Sequence, residues 1–252
     1  MATAVIGGTG LSELEGLQVL REHAVATPFG RTSAPVQEGH FDGGQTLLFL
    51  HRHGGRGQPV PPHLVNYRAN LWALRELGAT RIVAANAVGA ISTRFQPGRL
   101  VLPDQLIDYT WGREHSFDDG SSGQLMHVDF TEPFDPALRA AALAAARSAQ
   151  VPCADGATLA VVQGPRLETA AEVRRLASDG CDLVGMTTMP EAALAREAGL
   201  AYAAVCMIVN AAAGLAQEPI TLEAIRATLR RETALFGALL RPLSARLSAA
   251  QG

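Results

Sequence analysis

Six short strings hold most of the side chains in this sequence that could do chemistry: GGTG at 7–10, HRHGG at 51–55, ANAVGA at 85–90, QGPRLE at 163–168, GMTT at 185–188 and NAAAG at 210–214. Each follows an apolar run. Together they offer hydroxyls, an arginine, histidines, a carboxylate and an amide, with backbone made accessible by glycine. In GGTG the glycines let N–H groups converge as an anion cradle and Thr9 adds a hydroxyl, although an ordinary tight turn accounts for the string equally well. It is not GxGxxG. Arg52 suits bidentate binding of phosphate. His51 and His53, two apart on a strand, share a face, but no third ligand of matching spacing accompanies them, which argues against a catalytic metal.

Other strings carry a structural reading beside the chemical one. Thr188 reads as the cap of the helix begun by PEAALARE, leaving Thr187 nearer the strand end to face a ligand. Glu168 reads as a first-turn carboxylate favoured by the dipole of the helix in TAAEVRRLA. Asn210 closes the buried-looking run AYAAVCMIVN and is either a turn former or a reader of a bound molecule.

What is missing narrows the chemistry further. All 21 basic residues are arginines. Without lysine there is no Walker A lysine, Schiff-base lysine or kinase strand lysine. No GxSxG elbow is present, so a covalent serine mechanism is not indicated. A phosphate cradle without lysine or a magnesium motif suggests inorganic phosphate as a reactant. The net charge of −3 and pI near 6.2 give no footprint for nucleic acid or anionic lipid. Three separated cysteines without a CxxC pair fit a reducing compartment. The opening MATAVIGGTG does not read as a signal peptide, and no run reaches the about 18 apolar residues of a membrane helix. A cytoplasmic location is expected.

Positioning these strings requires an α/β fold. Short β-branched runs near 3–6, 46–50, 81–85, 158–162, 181–184 and 201–208 alternate with helical patterns at 64–77, 136–149, 168–178, 190–198 and 221–247, the signature of a largely parallel sheet. With 48% hydrophobic residues and 18% charged the chain can bury a sizeable core. No linker or repeat divides it, so one domain over 1–252 is expected. Ligands in such sheets bind beyond the carboxyl ends of strands, where the six strings fall.

Taken together, the stretches IGGTGL (6–11), TPFG (27–30), RHG (52–54), VNYRANLWAL (65–74), PGRLVLPDQLIDYT (97–110), QGPRLET (163–169), GMTTMPEAALARE (185–197) and AYAAVCMIVN (201–210) resemble the methylthioadenosine phosphorylase branch of the trimeric purine nucleoside phosphorylases. That resemblance implies a single α/β domain with a central mixed, largely parallel twisted sheet flanked by helices. It implies phosphorolysis without cofactor or metal, in a homotrimer. It places phosphate on Thr9, Arg52, His53, the Ala87 backbone and Thr187, and the ribose against Met186, with Asn86 and Leu167 in the substrate pocket. Asn210, Glu168 and Thr187 carry over as catalytic.

The base-reading positions refine the expectation. Adenine-type members of the family have Asp where this chain has Asn210 and again where it has Ala212, and a small hydroxyl residue where it has Glu168; the 6-oxopurine phosphorylases have Glu and Asn as here. A carboxylate can accept from the N1–H of a 6-oxopurine, whereas adenine presents a lone pair. At the 5′ end, where inosine and guanosine phosphorylases place a histidine, this chain has Leu222, which favours a methylthio group. His127 matches a residue that the family reaches across a subunit boundary to this pocket. The expected substrates are inorganic phosphate and S-methyl-5′-thioinosine, giving hypoxanthine and 5-methylthioribose 1-phosphate. A general inosine/guanosine phosphorylase, a methylthioadenosine phosphorylase and a non-catalytic nucleoside-binding protein follow in that order. One stretch departs from the family: GRGQPVPPH after His53 is longer and glycine-rich, with Arg56 or His63 as candidate replacements for a family histidine.

Overall fold

The computed structural model describes residues 2–11, 14–42, 44, 46–55, 58–121, 126–216 and 221–249, without the side chains of Leu222 and Ala249. Arg56 therefore lies outside the described residues. The strands are β1 (Ala2–Gly7), β2 (Leu17–His23), β3 (Val36–Phe41), β4 (Leu47–His51), β5 (Ala79–Ala90), β6 (Leu100–Leu102), β7 (Gln105–Asp108), β8 (Cys153–Asp155), β9 (Thr158–Val161), β10 (Leu183–Gly185) and β11 (Ala201–Ala211). The helices are α1 (Tyr67–Glu76), α2 (Pro136–Ser148), α3 (Ala170–Ser178), α4 (Thr188–Glu197) and α5 (Leu222–Ala249).

Among the described residues the strands form one 11-stranded mixed sheet with the path β2-β3-β4-β1-β5-β10-β9-β7, from which β11, β6 and β8 branch at β5. β1 is parallel to β4 and β5, and β11 is parallel to β5. The antiparallel pairs are β2–β3, β3–β4, β5–β10 and β6–β11.

The central strands are buried on both faces, which is why they read as continuous apolar runs. Alternation along β11 divides it between two cores. Tyr202, Ala204, Cys206 and Ile208 pack toward α1 and α4, while Ala203, Val205, Met207 and Val209 pack toward α2 and α5. A third, smaller cluster joins Val173 and Leu176 of α3 to Ala160, Cys181 and Val184. Each helix thus covers sheet with its apolar stripe and leaves the strand ends open.

Two differences from the sequence reading matter for the site. ANAVGA is not a post-strand turn: β5 runs through it to Ala90. Small residues are required there because β5 is crowded from several sides; a Cβ at Gly89 would lie 3.3–3.5 Å from Val184, Ala212 and Asn210. The second difference is a bulge. β11 pairs Ile208 with Val88 and Asn210 with Gly89, leaving Val209 as the extra residue. Regular alternation would send neighbours to opposite faces, but the bulge lets Val209 and Asn210 both meet the same cavity.

Candidate active site

The carboxyl ends of β1, β4, β5, β10 and β11, the loop before α3 and the first turn of α5 surround one cavity. Of the side chains expected to form a site, Thr9, Arg52, His53, Ala87, Leu167, Glu168, Met186, Thr187 and Asn210 line it. Gly8, Val88, Gly89 and Ile225 complete much of the wall.

Arg52 is the largest fully buried side chain, 1% exposed. Its Nε and Nη2 donate to the two carboxylate oxygens of Glu191 at 2.5 and 2.9 Å, and Nη1 donates to the Ala85 carbonyl at 2.8 Å. Burial by itself would lower the arginine's pKa, but the charge and hydrogen bonds of Glu191 more than offset it and raise it, so Arg52 is a fixed cation. Tyr202 donates its hydroxyl to the same carboxylate at 2.9 Å. Of the five N–H groups of a guanidinium, one on each Nη is left for the cavity. Glycine at position 8 is a packing necessity: a Cβ there would stand 2.6 Å from the Ala85 carbonyl and 3.0 Å from Arg52 Nη1.

His53 follows directly. Its Nδ1 lies 2.8 Å from the Val60 carbonyl, an obligate acceptor, so Nδ1 carries the proton and Nε2 is the free ring atom. Burial and then the neighbouring Arg52 charge hold its pKa below the usual histidine value. The imidazole is therefore neutral until an anion arrives to favour its protonation. Because Glu191 already balances Arg52, the two groups leave little net charge in the cavity beside the free guanidinium N–H groups.

Thr187 occupies the position before α4 but makes no capping bond. Its hydroxyl donates instead to Asn86 Oδ1 at 2.7 Å, and both residues are buried. Asn86, expected among the substrate contacts, does not line the cavity; it sits beneath Thr187 and fixes that hydroxyl. Thr188, expected to cap, is the first residue of α4 itself.

At the opposite end, the helix-dipole reading of Glu168 does not hold. Thr169 caps α3 and forms a reciprocal capping box with Glu172, which is the first-turn carboxylate. Glu168 stands one residue before the cap, half-buried on the cavity wall, and burial raises its pKa above the glutamate value of 4.5. Asn210 donates through Nδ2 to the Ala211 carbonyl at 2.6 Å. That acceptor fixes which end of the amide is nitrogen, leaving Oδ1 and one N–H to face a ligand.

Three expected residues are elsewhere. Ala212 is 1% exposed and packs in the α3 cluster with Ile91 and Val184, not on the cavity wall. His127 is exposed on the excursion between β7 and α2 and does not reach the cavity of its own chain. The Leu222 side chain lies outside the described residues, and Ile225, one turn further along α5, supplies an apolar wall. His63 is not among the lining residues either. Sequence reasoning missed Glu191 and Arg113, whose roles depend on partners far away in the chain. Among the described residues no group of three or more His, Cys, Asp or Glu could hold a metal ion.

The chain belongs to the phosphorylase superfamily, whose sequence model matches residues 2–245. Within it, the chain is 50% identical over 214 residues to the probable S-methyl-5′-thioinosine phosphorylase of Xanthomonas campestris pv. campestris, covering 85% of each chain. It is 43% identical over 223 residues to the 6-oxopurine nucleoside phosphorylase of Pyrococcus furiosus, covering 86% of this chain and 82% of that one. Among solved structures, methylthioadenosine phosphorylase from Schistosoma mansoni in complex with adenine superposes with a TM-score of 0.93 at 32% identity, over 98% of this chain and 92% of that one.

Proposed function

We propose that the protein cleaves S-methyl-5′-thioinosine with inorganic phosphate, giving hypoxanthine and 5-methylthioribose 1-phosphate. The observation that carries this reading is the pair Glu168 and Asn210 on one cavity wall, with the asparagine amide oriented by Ala211. Glu168, when ionised, accepts from the N1–H of a 6-oxopurine, and the remaining N–H of Asn210 donates to O6 or its Oδ1 accepts from N7–H. Against adenine the carboxylate would meet a lone pair, at a cost of about 1–3 kcal/mol for an unsatisfied buried group, which is about 5- to 150-fold discrimination.

Phosphate is held by Thr9, the two free Arg52 N–H groups, His53 and the Thr187 region, and the ribose lies against Met186. A phosphate oxygen bonds to C1′ as the C1′–N9 bond breaks; the bonding pair leaves with the purine, and the proton that hydrogenphosphate gives up on becoming the sugar phosphate dianion balances the one the purine takes at N7. Fixed donors lining the cavity place the weak nucleophile in line and stabilise the cationic ribosyl centre with little reorganisation. Ile225 supports an apolar 5′ pocket suited to a methylthio group. The exposed His127 suits a homotrimer in which each subunit completes its neighbour's pocket. Three free cysteines and the lack, among the described residues, of a helix long and apolar enough to cross a membrane support a cytoplasmic setting.

The test is phosphate-dependent release of base from inosine, adenosine and their 5′-methylthio analogues. Methylthioinosine should give the highest kcat/KM. Methylthioadenosine used as well or better would overturn the base assignment, and inosine used equally would move the reading to a general 6-oxopurine phosphorylase.

A further inference from the structure

We propose that Arg113 is a positioning residue for base recognition, a fork that fixes the spacing between the loop carrying Glu168 and the loop carrying Met186. The proposal rests on the functional reading above. Arg113 belongs to the excursion after β7, is not among the residues lining the cavity, and sends no side-chain donor to a carboxylate. Its Nη1 donates to the carbonyls of Met186 and Met189 at 2.8 and 2.6 Å. Its Nη2 donates to the Gln163 carbonyl at 2.8 Å, and Nε reaches Gln163 Oε1 at 3.1 Å. The ring of Tyr67 from α1 lies 5.5 Å beneath the guanidinium, and its hydroxyl lies 3.3 Å from Nη1.

One planar cation thus ties together three segments that the sheet alone does not hold in register. The last rung between β9 and β10 is the Val162 N–H on the Gly185 carbonyl at 2.8 Å, so the backbone from 163 to 168 and from 186 to 187 has left the ladder. Those are the stretches that present Glu168, Met186 and Thr187. The approach is close: a Cβ at Gly164 would lie 2.5 Å from the Met186 sulfur, so any slip of one loop against the other displaces ribose and base contacts together. Carbonyl oxygens diverging from a fork need a planar, multi-donor cation, and a lysine ammonium cannot span them. Of the proposed phosphate contacts, Thr9, Arg52 and His53 follow β1 and β4 and lie off this fork, whereas the Thr187 region is carried by it.

The experiment compares Arg113→Lys and Arg113→Met with the wild type. Both variants should lose about 10- to 100-fold in nucleoside kcat/KM, the scale expected of an ångström-size misplacement, and lose preference for the 6-oxo base, while phosphate KM, which senses the fork only through Thr187, rises by a smaller factor than nucleoside KM. Amide exchange at 162–168 and 186–189 should quicken in both, a readout that needs no turnover. Wild-type protein that fails to release hypoxanthine would overturn the functional reading, and exchange would still decide the role of Arg113. The proposal is overturned if exchange is unchanged, if Arg113→Lys keeps wild-type base preference, or if both KM values rise in parallel.

Discussion

Replacing Glu191 by glutamine tests the electrostatic account of the phosphate end. Glutamine keeps the shape but offers one acceptor where the carboxylate offered two, and turns an amide N–H toward Arg52, which is itself 1% exposed with only the Ala85 carbonyl as another acceptor. Breaking a buried ion pair by removing one partner costs about 3–5 kcal/mol. For a chain of this size each kcal/mol lowers Tm by about 2–4 °C, so the variant should melt about 6–20 °C below the wild type in phosphate-free buffer. The sign reverses for ligand. With the carboxylate gone the cavity gains a positive charge, and phosphate should raise the variant's Tm by more than it raises the wild type's. A control separates stability from binding: the double variant Arg52→Met with Glu191→Met should recover most of the lost Tm, because apolar replacement of a buried pair is often neutral, yet show no phosphate shift. Differential scanning calorimetry with and without phosphate reads all three. A Glu191→Gln protein melting within about 2 °C of the wild type would refute the reasoning, since a lost buried pair cannot cost so little.

Two further predictions concern the base. Asn210→Asp would set a carboxylate oxygen where Nδ2 now lies, 2.6 Å from the Ala211 carbonyl, so alone it should lose about tenfold or more on methylthioinosine without gaining adenine nucleosides; only with Glu168→Ser should preference turn toward adenine, and unchanged oxo-purine preference in single and double variants would sink the assignment. Glu168 accepts only when ionised and burial raises its pKa above 4.5, so kcat/KM should fall as pH drops through a midpoint higher than that of an ordinary glutamate; Glu168→Gln should abolish this acid limb, and a limb that survives in the variant belongs to another group.

The strands that carry the site were legible because each is an apolar run ending in a polar or glycine-rich string. β1, β4, β10 and β11 follow this pattern, and Thr9, Arg52, Glu168, Met186, Thr187 and Asn210 meet where those ends converge. Alanine and glycine hid the second half of β5, since neither signals a strand. The hairpin β2–β3, LQVLREH against VQEGHF, was hidden by polar residues suited to a sheet edge. Glu191 stands unremarked in the opening turn of the helix in PEAALARE because its partner Arg52 is 139 residues away, and Arg113 sits in a stretch without periodicity. Local pattern records what a residue does for its own element. It is silent on a side chain whose purpose is to hold a distant one.

The extra residue in β11 separates two kinds of constraint within a single strand. Residues 202–208 are committed to two opposed cores, and any change of size there is felt on both sides of the sheet. Past Val209 the parity of the strand has shifted, and Asn210 answers to the cavity rather than to either helix layer. On the proposed reading, base preference rests on one or two positions that lie beyond both cores, so it can change by substitution there without repacking the molecule. Selectivity is then a replaceable tip on a packed shaft, and the bulge is the joint at which it detaches.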